Sequence, residues 1–216
     1  MRIAIIGAGT VGSGLARAAA GCGHEVVITA RNPEHAAKVA EDVGARADAS
    51  AAEAARGADA VVLAVPSRAI ADVADQIRRH VEGTIVIDPS NPLEPDLSGV
   101  LEATLSVAEE IAILLPGARI VKAFNTVLGA RLTDPVVHGV RLDGFYAGDD
   151  AEAKATVAEL VAAMGFRPLD AGALRAARSL EHMAFLNISL NARNGWPWSS
   201  GWKLLGDTGE DAPATG

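Results

Sequence analysis

Apolar residues along this chain follow two alternating rhythms. Short runs at 2–6, 25–29, 60–66, 84–87 and 119–124 are apolar at nearly every position and rich in Val and Ile. Strands buried on both faces read that way. Between them, over 14–20, 33–44, 50–56, 67–80 and 106–115, apolar residues recur at helical spacing, as with Ile70, Val73, Ala74 and Ile77. A short extended piece is expected at 45–47. Buried strands alternating with helices predict an α/β fold, a doubly wound parallel sheet with helices on both faces. From about residue 142 the pattern changes. A strand over 145–150 leads into a capped helix over 151–164 with Val157, Leu160 and Val161 inward. A short strand at 166–170 and a long helix over about 174–194 complete a small C-terminal α/β and helical extension.

The first strand runs directly into Gly7-Ala8-Gly9-Thr10-Val11-Gly12 and then an Ala-rich helix. In a G-x-G-x-x-G turn the first glycine permits the tight bend. The second lets the backbone approach a pyrophosphate, and the third lets the helix pack closely on the strand. Free N–H groups and aligned peptide dipoles at the helix start favour an anion there. The expected class is therefore Rossmann-type dinucleotide binding.

Ligands in open parallel sheets sit beyond the carboxyl ends of the strands, so those ends carry the candidate chemistry. After the second strand the chain reads Thr29-Ala30-Arg31-Asn32. A site for NAD places a carboxylate about 20 residues after the glycine motif, on the ribose hydroxyls. Here an arginine stands instead, whose planar fork of donors suits a ribose phosphate. The expected cofactor is NADP(H), and His35 and Lys38 fall nearby. Asn32, Pro33 and Glu34 also read as the capped start of the next helix. Ala64, Val65 and Pro66 are expected to cover the cofactor beyond its pyrophosphate. Asp88 to Pro92 forms a turn-rich loop at the same edge, where Asp88 is either a general base or a local hydrogen-bonding device. Asn125 and Thr126 follow the strand at 119–124. Neither acts as an acid or base at neutral pH, but both can orient an amide or carbonyl.

Half of the 216 residues are hydrophobic and only 4% are aromatic, so the core is expected to be Ala, Val, Leu and Ile. A net charge of −8 without a basic stripe argues against nucleic acid and toward small-molecule partners. The single Cys22 allows no internal disulfide, and a reducing cytoplasm is expected. No apolar run approaches the roughly 18 residues that span a bilayer, and no charged leader precedes the first strand. No His or Cys spacing fits a metal, and no nucleophile elbow is present. Hydride transfer needs neither, because the cofactor carries the chemistry. The long C-terminal helix is apolar on more than one side, at Leu180, Met183, Ala184, Leu186, Ile188 and Leu190, which predicts a second subunit and a homodimer. Trp196, Trp198 and Trp202 are expected to form a lid, a subunit contact or a packing layer on that helix, ahead of a disordered acidic end.

GAGTVG with TARN, AVP at Ala64 to Pro66, NPL at Asn91 to Leu93, KAFNTV, AGDD-x-x-AK and RPLDAG-x-L-R-x-A-R-x-L-E together resemble the NADPH-dependent reductases of the deazaflavin coenzyme F420. The resemblance covers about residues 1–192, and KAFNTV is similar to the oxidoreductase domain of the STEAP metalloreductases, which pass hydride from NADPH to a flavin. It implies an oxidoreductase that moves hydride between NADP(H) and F420. Thr10 and Val11 would join Gly7, Gly9 and Gly12 around the pyrophosphate, and Arg31 with its neighbours Thr29 and Asn32 would take the ribose phosphate. Val65 and Pro66 would flank the nicotinamide ribose. Asn125, Thr126 and Val127 would floor the meeting place of the two rings, with Asn91 and Pro92 at its edge. Residues 1–140 are then an NADP-binding domain, 141–195 a portion closing the substrate cleft, and 196–216 a Trp-containing, partly disordered tail. Two other readings remain: reduction of a flavin or small carbonyl or imine, and a nonenzymatic NADPH sensor, which would need no second planar cavity at the Asn125 strand end.

Overall fold

The computed structural model describes residues 1–94, 99 and 104–206. Strand β1 (Arg2–Ile6) enters helix α1 (Thr10–Gly21), and β2 (Glu25–Thr29), α2 (Pro33–Val43), β3 (Arg46–Ala47) and α3 (Ala51–Ala55) follow. Next come β4 (Ala60–Leu63), α4 (Ile70–Ile77), β5 (Ile85–Asp88), α5 (Val107–Leu114) and β6 (Arg119–Ala123). A small hairpin of β7 (Val136–Val137) and β8 (Val140–Arg141) precedes β9 (Asp143–Gly148), α6 (Ala151–Ala163), β10 (Arg167–Asp170) and α7 (Ala177–Asn194).

Eight strands form one sheet in the order β10-β9-β6-β5-β4-β1-β2-β3. The stretch β3-β2-β1-β4-β5-β6 is parallel throughout and has the order of a dinucleotide-binding fold, with the winding reversed between β1 and β4. Alternate side chains serve the two faces. Ile3, Ile5, Val26 and Ile28 pack in one core with Leu15 of α1, Val39 of α2 and Val157 of α6. Ala4, Ile6, Val27 and Leu63 pack in the other with Ala54 of α3, Ile70 of α4 and Ile111 of α5. Helix ends follow local rules: Asn32 accepts from the His35 amide at the start of α2, Gly44 closes that helix at φ 70°, and Ser106 with Glu109 forms a capping box on α5.

Several expected elements are corrected. The sheet has one antiparallel seam, β6 against β9, so the C-terminal strands extend the same sheet. The strand expected over 145–150 begins two residues earlier, at Asp143, because Arg167 pairs with that aspartate at 2.7 and 2.8 Å and allows both to be buried. The strand expected to reach Pro66 ends at Leu63, and residues 64–66 bend away to line a cavity. The helix expected over 67–80 is α4 flanked by 3-10 turns at Ser67–Ala69 and Arg78–His80. Along α7 the buried stripe contains Glu181, Asn187 and Asn191 beside Ala177, Leu180 and Ala184, while Leu186 and Leu190 are exposed.

The segment after α7 returns over the body of the protein. Ser200 bridges Asn187 and Asn191, the Ser199 carbonyl accepts from Arg131, and the Asp143 amide donates to the Trp202 carbonyl. Trp196 and Trp198 remain exposed and Trp202 is partly buried. The end expected to be disordered, 207–216, lies outside the described residues. Among the described residues no helix is long and apolar enough to cross a membrane, and no cluster of His, Cys, Asp and Glu could hold a metal.

Candidate functional site

Two cavities open at the carboxyl ends of β1 and β4, where the winding reverses. One, of about 590 Å³, is lined by Gly7, Gly9, Thr29, Arg31, Asn32, Ala64, Val65 and Pro66. The other, of about 350 Å³, is lined by Gly9, Thr10, Val11, Ala64, Val65, Pro66, Asn91, Asn125 and Val127. Gly9, Ala64, Val65 and Pro66 line both, so the cavities form one trough over the glycine turn.

The three glycines differ as their spacing predicts. A Cβ on Gly7, at φ +115°, would strike the Ala64 carbonyl, and one on Gly12 would strike the carbonyl of Gly7. A Cβ on Gly9 would meet no atom of the described residues within 4 Å. Gly9 lines the trough with open space beside it, whereas at the other two positions the protein's own backbone leaves no room for a side chain. Gly9 is the N-cap of α1, no side chain caps that end, and no acid lies in its first turn. A helix start of this kind suits an anion. The turn is fastened by the Gly7 amide on the Thr29 carbonyl at 2.8 Å and by Ser13 Oγ on the Ala8 carbonyl at 2.8 Å.

Arg31 is exposed on the wall of the larger cavity, and among the described residues no carboxylate pairs with it. The ring Nε2 of His35, in the same wall, lies 2.8 Å from the Ala8 carbonyl. These features fit the adenosine ribose phosphate of NADP(H). Lys38 does not line the cavity.

In the smaller cavity Asn91 and Asn125 clasp each other. Asn91 Nδ2 donates to the Asn125 carbonyl at 3.0 Å and Asn125 Nδ2 donates to Asn91 Oδ1 at 2.9 Å. Asn125 is delivered by Phe124, a buried residue at φ 65°, where a left-handed conformation turns the chain out of β6. Asn125 Oδ1 and Thr126 Oγ1 are buried without a hydrogen-bond partner among the described residues. Pro92, Thr126 and Gly12 are buried and do not form part of the cavity walls.

Beneath this loop lies a cluster that sequence reasoning did not find. Lys122 of β6 is fully buried, and its Nζ donates to Asp88 Oδ2 at 2.8 Å, to the Ser90 carbonyl at 2.7 Å and to Glu181 Oε1 at 2.7 Å. Asp88 Oδ1 accepts from the amide and hydroxyl of Ser90 at 2.9 and 2.6 Å, so Asp88 is the local hydrogen-bonding device and is removed from substrate. Burial pushes the Glu181 carboxyl up from its ordinary value, and the Asp88 charge adds to this against the pull of Lys122. Lysine in a strand otherwise buried on both faces was the available signal. Ile188, Leu128 and Gly129 also line the smaller cavity and were not singled out for it.

The strand order, the glycine turn and the arginine after β2 define a Rossmann-class protein built for an NADP-type dinucleotide. Residues 2–92 match the family described as NADP oxidoreductase, coenzyme F420-dependent. The F420-dependent NADP reductase of Methanothermobacter thermautotrophicus is 35% identical over 211 residues, covering 90% of this chain and 90% of that protein. The chain belongs to the family of F420-dependent NADP oxidoreductases. A crystal structure from Arthrobacter sp. FB24, proposed to be an F420-dependent NADP reductase, superposes with a TM-score of 0.84 at 30% identity, covering 94% of this chain and 99% of that one. Rat metalloreductase STEAP3 is 34% identical over 83% of this chain, which spans only 36% of that relative's length.

Proposed function

We propose that the protein binds NADP(H) along the trough and transfers a hydride between it and the deazaflavin coenzyme F420 in the cavity at Asn125. The observation that carries this reading is the continuity of the two cavities across Gly9, Ala64, Val65 and Pro66. One end has the cation for a ribose phosphate, and the other has room for a second ring beside the nicotinamide. A sensor would have no use for that second space.

NADP(H), when bound, supplies the hydride chemistry, and the chain supplies position. The α1 amides and Gly9 hold the pyrophosphate, with Thr10 and Val11 beside them. Arg31, flanked by Thr29 and Asn32, takes the ribose phosphate. Val65 and Pro66 bound the nicotinamide ribose, and Asn125 Oδ1, an acceptor with no donor among the described residues, orients an amide of one ring. Val127 and Ile188 supply apolar walls that exclude water. Among the described residues the lining of the smaller cavity holds no Asp, Glu, His, Lys or Arg, so the part assigned to this chain there is position. Residues 141–195 close the cleft through Ile188. The exposed Leu186 and Leu190 supply the contact of a homodimer, and the single free Cys22 suits a reducing cytoplasm.

The test is to mix protein, NADPH and oxidised F420 and follow the deazaflavin absorbance. Bleaching that depends on the protein is expected. Folded protein that leaves F420 unchanged in both directions, while reducing a flavin or an imine, would transfer the reading to that acceptor.

A further inference from the structure

Lys122, Asp88 and Glu181 touch neither cavity, yet they hold residues on opposite walls of the smaller one. An ammonium group has three donors. In Lys122 all three are spent, on Asp88, on Glu181 and on the Ser90 carbonyl. Ser90 is gripped from its other side as well, through its amide and hydroxyl on Asp88 Oδ1. Ser90 lines the cavity, and the next residue, Asn91, is clasped to Asn125. Glu181 belongs to α7, where Ile188 lies two turns further along on the same side and lines the cavity from the other direction. Glu181 Oε1 also accepts from the Val107 amide at 3.0 Å, which ties the start of α5 to the cluster. Among the described residues, none of the side-chain hydrogen bonds of these three residues goes to a residue that lines the larger cavity.

We propose that Lys122, Asp88 and Glu181 are positioning residues for the second-ring cavity, setting the spacing between the Ser90–Asn91 loop and Ile188 and so the alignment of the hydride acceptor. This rests on the proposed function for the identity of the acceptor, but not for the geometry. Hydride transfer depends steeply on the approach of the two rings, and loss of about an ångström of alignment is enough to lower a rate by a large factor. A buried ion cluster with every donor satisfied fixes one arrangement, whereas an apolar replacement leaves the loop backbone free to shift.

The test compares the parent with Lys122→Met. Where Lys122→Met fails to fold, because two carboxylates are left facing each other, the charge-free combination Asp88→Asn, Lys122→Met, Glu181→Gln replaces it. The expected result is a Kd for NADPH within about twofold of the parent, a KM for F420 raised about tenfold or more, and a lower single-turnover hydride-transfer rate. A fall in Tm with both parameters unchanged in the folded enzyme, or equal loss at both sites, overturns the proposal. A second readout needs no acceptor: the side-chain amide resonances of Asn91 and Asn125 in ligand-free protein. They are expected to be distinct and protected in the parent and to collapse toward free-amide values in the variant. If they are unchanged, the cluster does not set the loop, whatever the acceptor; if they collapse while F420 is not a substrate, only the acceptor assignment falls.

Discussion

Gly9 and Gly12 are three residues apart and have different surroundings. Gly9 has φ −71° and open space where a Cβ would stand, so alanine fits the folded chain at a cost of a few tenths of a kcal/mol to about 1 kcal/mol at the cap. Gly9→Ala is expected to keep its melting temperature within a few degrees and lose tenfold or more in NADPH affinity. Gly12→Ala forces a methyl against the Gly7 carbonyl and is expected to lose about 1–3 kcal/mol of stability or more. Thermal melts beside NADPH titrations separate the two, and a Gly9→Ala enzyme with parental affinity would place the pyrophosphate elsewhere. Arg31 offers a second test. A charge-assisted hydrogen bond contributes about 1.5–3 kcal/mol, so Arg31→Ala is expected to weaken NADPH about ten- to hundredfold while changing NADH little. Equal losses would show that Arg31 does not read the phosphate. The tight glycine turn and the place of Arg31 beside the cavity were legible in the sequence, since turn sterics and the residue after β2 are local matters. Lys122 was not, because a lysine is buried only where partners from other elements arrive to satisfy it.

Among the elements, α5 and α7 are joined by an ion pair with fork geometry. Arg178 Nε and Nη2 donate to Glu109 Oε2 and Oε1 at 2.8 and 2.7 Å, and Glu109 also closes the capping box on Ser106. The Arg178 hydrogen bonds, with those from Ser106, outweigh burial and hold the Glu109 carboxyl down at about 2 from an ordinary 4.5. A carboxyl lowered on folding stabilises fully above its unfolded value and loses that contribution as pH falls through the folded one. The stability gap between the parent and Arg178→Ala is therefore expected to be full at pH 6 and to shrink steadily from about pH 4.5 toward pH 2. Urea unfolding at pH 6, 4 and 2.5 measures it, and a gap independent of pH would remove the carboxylate as its source. The existence of both helices followed from apolar spacing, whereas the capping box of Ser106 and Glu109 emerged only in the structure. Which side of α7 is buried did not, because Glu181, Asn187 and Asn191 enter the interior only by pairing with Lys122 and Ser200.

At the scale of the molecule, the last described segment works as a strap. Residues 199–204 bond Arg131, Asn187, Asn191, Asp143 and Arg167, reaching from beside the smaller cavity to the far strands of the sheet. Burial alone would raise the Asp143 carboxyl, but hydrogen bonds from Arg167 and the Leu204 amide, with the Lys203 charge, bring it below its ordinary value. Ending the chain at Gly195 removes several hydrogen bonds worth about 1 kcal/mol each. We expect a loss of about 2–4 kcal/mol and a Tm lower by roughly 5–15 °C, read by calorimetry; an unchanged melt would mean the strap is not coupled to the fold.

The alternation of buried strands with helices, the glycine turn and the arginine after β2 were set by the sequence alone, since period, backbone sterics and charge act over a few neighbouring residues. The tertiary structure decided what joins distant parts. It brought Asp88 and Lys122 together across 34 residues and Lys122 and Glu181 across 59, and it turned β9 antiparallel on β6. It also set Ile188 against Asn125 in one cavity. No local pattern encodes such meetings, because each exists only once the sheet has fixed which strand ends lie side by side.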